Sequence, residues 1–252
     1  MNEPWRRIAR RVLPRSLRRS ITRHTRWPPV GAVRFGSLGR VTPVSRDWGS
    51  SRGVPVDRYY IEAFLAERAE DIRGRVLEIK DATYTRRFGG ARVQRSDVVH
   101  PVEGNPDATI VADLTTGEGL DSGRFDCVIC TQTLHLIYDV RSAIETLHRV
   151  LAPGGVLLVT TPGISQISRH DMDRWGDFWR FTSASARRLF EERFSGDAVD
   201  VRSRGNVKAA VAFLHGLASR ELRPKELERD DPDYELLITV RAIRRAGTDG
   251  AS

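Results

Sequence analysis

The sequence is short of cysteine and lysine and has no long apolar run. Two cysteines in 252 residues exclude a disulfide-stapled scaffold, which needs a dense and even set. Both lie in the run FDCVIC, as Cys127 and Cys130. That run reads as a buried strand, where side chains three apart point to opposite faces. A shared metal or a disulfide is therefore not expected, and two core thiols suit a reducing compartment. No stretch approaches the roughly 20 apolar residues that would span a bilayer. The opening MNEPWRRIARR lacks the apolar stretch of a secretory signal, so the expected location is cytoplasmic. No Gly-x-Ser-x-Gly, P-loop or deaminase signature is present, and no cluster has metal-ligand spacing, so no metal is expected.

Lysine is scarce enough to name in full: Lys80, Lys208 and Lys225 among 41 basic residues. Acids are nearly missing from residues 1–40, where eleven arginines face only Glu3. That stretch carries a net +10 and the remainder −2, within an overall +8. The basic character thus belongs to an arm, 1–40. Residues 41–55, within a stretch rich in Pro, Gly and Ser, read as a linker or cover loop. The expected domain is 56–245, with a tail at 246–252. In the arm, Trp5, Ile8, Val12, Leu17 and Ile21 recur at roughly helical spacing among arginines, interrupted by Pro14. Such a segment suits an anionic membrane surface, which would make the protein membrane-peripheral; a solvated tail and a transit segment are the alternatives. Nucleic acid is not the expected partner, because the remainder is near neutral and offers no stacking platform. Oligomeric state is not legible.

Regular patterning begins at Val56. In VDRYYIEAFLAERAEDI, Asp57 reads as a helix cap, with Tyr60, Phe64, Leu65 and Ile72 inward. Short apolar runs follow at 75–79, 91–99, 108–114, 125–130 and 155–161. The amphipathic helix 140–151 separates the last two, and a Pro-Gly-Gly turn closes it. A second helix follows Thr182 and Ser183, with Leu189, Phe190 and Phe194 inward. DAVDVRS, the helix VKAAVAFLHGLAS and the strand YELLITVRAI complete the chain. Buried-strand runs alternating with helices indicate an α/β fold on a largely parallel sheet. No internal repeat appears.

The stretch 125–163 is the most specific. Phe125 and Asp126 open a strand, Leu134 and His135 sit in the following loop, and Arg149, Val150, Leu151, Pro153, Gly154 and Gly155 lead into the next strand. This order resembles the class I S-adenosylmethionine-dependent methyltransferases, especially the group called type 11. The resemblance covers roughly 56–243. It implies a doubly wound, Rossmann-like sheet of seven strands, the last (235–243) antiparallel, with the cofactor outside the carboxyl ends of the strands.

Carried over residue by residue, the resemblance implies cofactor contacts at Glu78, Lys80, Asp97, Asp113, Thr131 and Gln132. Glu78 would end the first strand, Asp97 would take both ribose hydroxyls, and Asp113 would take the adenine. Thr131 and Gln132 would border the methionine part. The first loop departs from the family, with Lys80, Ala82 and Tyr84 where glycines normally sit, and little room for a helix before Ala91. Asp126, at the opposite end of its strand, reads as structural.

Beyond the fifth strand, RHDMDRWGDFWRFTS (169–183) combines carboxylates, arginine and aromatic rings. Asp173, Trp175, Asp177, Trp179 and Arg180 form a set suited to a sugar or other polyhydroxylated acceptor, whose faces stack and whose edges hydrogen-bond. His135 and His170 are the candidate bases. The expected activity is O-methylation of a sugar, glycan or related small molecule, as in polysaccharide or natural-product modification. The alternatives are a methyltransferase-like domain that binds without catalysing, and an RNA methyltransferase using the arm.

Overall fold

The computed structural model describes Pro14, Pro28 and residues 32–245. The arm's apolar positions Trp5 to Ile21 and the tail 246–252 lie outside the described residues. The chain divides into two compact units at Pro43/Val44. In the first, residues 36–38 form one 3-10 turn with no buried residue.

The second unit holds seven strands: β1 (Gly74–Ile79), β2 (Val93–His100), β3 (Ile110–Val111), β4 (Phe125–Thr131), β5 (Leu151–Pro162), β6 (Val199–Arg204) and β7 (Leu237–Ile243). Their order is β3-β2-β1-β4-β5-β7-β6. Strands β1 to β5 pair in parallel, and β7 runs antiparallel to both β5 and β6. This is the doubly wound α/β sheet expected, with the last strand reversed.

Alternation along the strands divides the core. On one face Leu77, Val128, Cys130 and Leu157 pack with Ala143, Ile144 and Leu147 of α2 (Val140–Val150) and with Phe190 of α4 (Ser183–Glu191). On the other, Val76, Cys127, Ile129 and Leu158 pack with Tyr60, Ile61, Phe64 and Leu65 of α1 (Val56–Glu67) and with Ala209 and Phe213 of α5 (Val207–Leu214). Each of the buried Val, Leu, Ile and Phe side chains contributes about 1.5–3 kcal/mol. Cys127 and Cys130 are both free and lie on opposite faces. Burial pushes both thiols up, Cys130 to about 12, so neither is a ready nucleophile.

Local signals set the helix ends. Asp139 accepts from Ser142 N at 3.1 Å to cap α2, Thr182 accepts from Ser185 N at 3.1 Å at α4, and Asn206 accepts from Ala209 N at 3.0 Å at α5. Asp57 is not a cap. Pro55 precedes α1 and Asp57 lies within its first turn, where a carboxylate complements the helix dipole. Two short helices, α3 (Arg169–Met172) and α6 (Pro224–Leu227), complete the set.

Three local expectations change. The strand expected over 108–114 shrinks to two residues at the sheet edge. The Pro-Gly-Gly segment is not a turn before a strand, because Leu151 already pairs with Phe125. Gly154 (φ 81°) and Gly155 instead form an irregularity within β5; a Cβ on Gly155 would lie 2.8 Å from the Phe125 carbonyl oxygen. Between β1 and β2 there is no full helix, only one π turn over Thr85–Gly89 and a 3-10 turn over Gly90–Arg92.

Candidate functional site

A cavity of about 1190 Å³ opens where the parallel strands end. Glu78, Lys80, Asp113, Thr131, Gln132, His135, His170, Trp175, Asp177 and Arg180 all line it. Asp97, Asp173 and Trp179 do not.

The β1 end is built around Glu78. Its carboxylate is buried and accepts from Tyr84 N at 3.0 Å and Thr85 N at 2.7 Å. Burial raises its affinity for a proton. Glu78 thereby holds the loop that replaces the glycines. Lys80 keeps the left-handed backbone that a glycine would adopt (φ 78°), with its N–H on Val99 O at 2.9 Å. The Lys80 side chain is exposed and forms no ion pair among the described residues. Tyr84 is buried: its hydroxyl accepts from Arg58 at 2.7 Å and its ring stacks on Phe88. The loop thus frames the cavity without filling it.

Asp97 is placed away from the cavity. It pairs with Leu77 in mid-sheet, three residues before the end of β2. Its buried carboxylate receives Arg75 Nε at 2.6 Å, with Arg95 at 3.4 Å. The residue at the carboxyl end of β2 is His100, which lines the cavity. The spacing from Glu78 pointed to Asp97; the strand runs further than that spacing assumed.

Asp113 accepts Thr115 N at 2.7 Å and Thr115 Oγ1 at 2.8 Å on Oδ1, leaving Oδ2 without a partner among the described residues. Gln132 follows β4 in a left-handed conformation (φ 47°). Trp48 (φ 58°) is the third non-glycine with positive φ among the described residues, and all three line the cavity. Such backbone strain concentrates at functional sites. Asp126 is structural: it accepts Arg75 N at 2.8 Å at the opposite end of β4.

The opposite wall comes from the segment after β5. Asp177 is buried, accepts Ser168 N at 2.8 Å, and forms a forked pair with Arg180 at 2.5 and 2.9 Å. Burial opposes its charge, but Arg180 and the Ser168 N–H more than offset this and hold the carboxyl below its ordinary range. The His135 carbonyl receives Phe178 N at 2.9 Å and Trp179 N at 3.2 Å, so the two loops are stitched together. The His135 ring is buried, with Nδ1 lacking a hydrogen-bond partner. Burial lowers its pKa to about 4, against an opposing pull from Asp177. At neutral pH the ring is uncharged. Arg174 donates to His170 Nδ1 at 2.9 Å, which occupies that lone pair. Trp179 anchors the segment by donating Nε1 to Ile137 O at 3.1 Å and stacks on Tyr138. Asp173 is exposed.

Sequence reasoning missed Trp48, Asp57, His100 and Tyr138, all on the cavity wall. Burial pushes the Asp57 carboxyl up to about 6. Nothing in its local sequence separates it from any first-turn acid. Among the described residues no group of His, Cys, Asp and Glu could hold a metal ion, and no helix is long and apolar enough to cross a membrane.

Comparison with known proteins gives a family. The model described as "Methyltransferase domain" matches residues 39–198, more than half of the chain. Among curated proteins, a probable polyketide synthase of Dictyostelium discoideum is 25% identical over 71 residues, 28% of this chain. The match spans only 3% of that protein's length. Among solved structures, an S-adenosylmethionine-dependent methyltransferase from Mesorhizobium loti has TM-score 0.50 and 17% identity, over 77% of this chain and 99% of that one. A putative sarcosine dimethylglycine methyltransferase from Galdieria sulphuraria has TM-score 0.50 and 12% identity, over 75% and 86%. The N-methyltransferase NodS of Bradyrhizobium japonicum, in complex with S-adenosyl-L-homocysteine, has TM-score 0.48 and 16% identity, over 83% and 97%.

Proposed function

The chain belongs to the methyltransferase-domain family, and from that premise we propose that it O-methylates a sugar, glycan or related small polyhydroxylated molecule. The observation that carries this reading is the two-sided cavity. One wall is made of strand ends, and the other is the ring-rich, charged segment 165–180.

The cofactor is S-adenosyl-L-methionine, and the donor set fits it. Asp113 Oδ2, without a partner among the described residues, would accept from an adenine amino group, and the exposed Lys80 ammonium would pair with the carboxylate of the methionine end. Lys80 and Gln132, both on the cavity wall, take left-handed backbone just past their strand ends. When bound, the cofactor supplies a methyl group already activated on a sulfonium. The protein's work is therefore to orient the acceptor, exclude water and receive a proton.

As the acceptor oxygen takes the methyl group, its proton must leave. Of the two candidate imidazoles, His135 supports this role better, being uncharged and on the cavity wall. His170 spends a lone pair on Arg174. Asp177 and Arg180 fix the loop that faces His135. Trp175 and Phe178, on the same wall, offer faces on which an acceptor ring can stack.

A second reading, a domain that binds cofactor or acceptor without catalysis, rests on Lys80, Ala82 and Tyr84 in the first loop. The backbone at Lys80 speaks against it, because the left-handed turn survives the substitution. The test is calorimetry with S-adenosylmethionine and S-adenosylhomocysteine, followed by transfer of labelled methyl groups to a glycan panel. Binding with transfer supports the proposal; binding without transfer to any acceptor favours the second reading. The basic arm as a contact for anionic membranes is a separate proposal, tested by salt-sensitive vesicle binding of the full chain against a chain lacking residues 1–25.

A further inference from the structure

We propose that Tyr138, Phe178 and Trp179 form a second saccharide subsite at the mouth of the cavity. The acceptor is then a glycan of at least two sugar units and not a lone ring, a refinement that rests on the sugar reading above.

The rings are clustered and bare. Among the described residues of the second unit five aromatic rings are exposed, and four of them are Tyr138, Trp175, Phe178 and Trp179. Exposed rings scattered singly would call for no account, but a contiguous set does. Tyr138 meets Phe178 edge-on, with centroids 5.4 Å apart and planes at 70°, and stacks on Trp179 at 5.8 Å and 25°. Even so, Tyr138 remains 71% exposed, Phe178 49% and Trp179 37%. Trp175 stands apart from the three: its ring meets that of His100 edge-on, at 6.0 Å and 88°.

Each ring is held in place while its face stays available. Phe178 N and Trp179 N both donate to the His135 carbonyl, at 2.9 and 3.2 Å, and the Trp179 indole donates to Ile137 O at 3.1 Å. Gly176 (φ 92°) makes room for Phe178, because a Cβ there would lie 2.2 Å from its ring. Tyr138 immediately precedes Asp139, the cap of α2. A hydrophobic residue at that position often packs back onto its helix, and the exposure of Tyr138 shows that it is not used in this way. With the indole N–H spent on backbone, Trp179 offers a ligand its ring face. The Tyr138 hydroxyl has no partner among the described residues. Fixed ring faces with a polar group at the edge match a sugar, whose C–H face stacks and whose hydroxyls hydrogen-bond. Their prior ordering lowers the cost of binding.

Continuity with the cavity identifies the occupant. Tyr138 and Phe178 line the cavity, whereas Trp179 does not. The platform therefore begins on the acceptor wall and continues beyond it. A sugar held inside for methyl transfer would place its next unit on Tyr138 and Trp179. A lone sugar would leave those outer rings bare.

The test measures transfer of labelled methyl groups by the full chain to mono-, di- and tetrasaccharides of glucose, mannose and galactose. In any series that accepts methyl groups, kcat/KM should rise about five- to tenfold from mono- to tetrasaccharide, the worth of one stacked ring. Tyr138→Ala should bring that ratio to within about twofold, and Tyr138→Phe, which keeps the face, should preserve most of it. Gly176→Ala should lower the ratio by displacing Phe178. Equal kcat/KM at all lengths in wild type, or the full gain with length in folded Tyr138→Ala, overturns the second subsite while the sugar reading stands. Binding to phosphatidylcholine vesicles that is lost in Tyr138→Ala, with no gain from acceptor length, would assign the rings to lipid and overturn it as well. Absence of transfer to every saccharide would overturn both.

Discussion

Asp177 and Arg180 hold each other through two parallel hydrogen bonds, at 2.5 and 2.9 Å, on the wall of the cavity. The fork is planar on both sides, which a lysine cannot reproduce. The same Asp177 oxygen that meets Arg180 Nη2 also accepts Ser168 N. This one carboxylate thus ties both ends of the segment after β5.

Asp177→Ala should therefore cost about 2 kcal/mol or more by stranding a partly buried guanidinium. In a domain of this size that lowers Tm by roughly 4–8 °C. Arg180→Lys should cost less, since a point charge survives without the fork. Thermal melts of both variants check this, and a loss for Arg180→Lys as large as for Asp177→Ala would count against the fork.

His135 predicts the acid side of the stability curve. Its folded pKa of about 4 lies below the ordinary imidazole value of 6.5. Between those values the unfolded chain binds more protons than the folded one, so stability falls as pH falls through that window. The groups facing the ring are Asp177, Arg180 and Asp171. Asp177 and Asp171 pull its pKa up and Arg180 pushes it down, without reversing the effect of burial. His135→Gln should flatten Tm between about pH 6.5 and pH 4. An unchanged slope in that window would show that the ring is not buried in its neutral form.

Lys80 sets stability against binding. A non-glycine residue in left-handed backbone costs roughly 1–2 kcal/mol, so Lys80→Gly should raise Tm by a few degrees. The same change removes the exposed ammonium. It should weaken S-adenosylhomocysteine binding by about two- to fivefold, and more at low salt than at high salt. Both quantities can be read from one preparation. A variant that is less stable than wild type would refute the strain argument.

Gly74 and Asp126 make a stability prediction remote from the cavity. Gly74 has φ 64°, and a Cβ there would lie 2.1 Å from Asp126 Oδ2. Gly74→Ala should destabilise by about 1–3 kcal/mol through backbone strain and the clash together. Adding Asp126→Ala should recover the clash but not the strain. Denaturant unfolding measures both, and cofactor affinity should not change in either variant.

Much of the fold was legible because its signals are local. FDCVIC and GVLLVTT read as buried strands because both faces of a parallel sheet are covered, and they became β4 and most of β5. Thr182 announced its helix through a side chain that reaches only a few residues. Glu78 and Gln132 reach the cavity wall because each lies at or just beyond a strand end, which short-range patterning marks. Asp97 lies off the cavity wall for an identifiable reason. Counting from Glu78 fixes a distance along the chain, whereas the end of β2 depends on pairing with β1 and on the Lys80–Val99 bond. Trp48 and Asp57 carried no signal, because what brings them to the cavity is the packing of α1 and its approach against the sheet.

By itself the sequence determined the alternation that sends Cys127 and Cys130 to opposite faces, the α/β class, and the family to which the chain belongs. Burial periodicity and short-range capping are written in neighbouring residues and need no partner to be read. Tertiary structure alone decided that His100 rather than Asp97 stands at the rim, that Asp177 is paired and His135 uncharged, and that Trp175 meets His100. Those outcomes depend on strand register and on the removal of water around groups distant in sequence. Neither exists until the sheet and the segment after β5 have closed on each other.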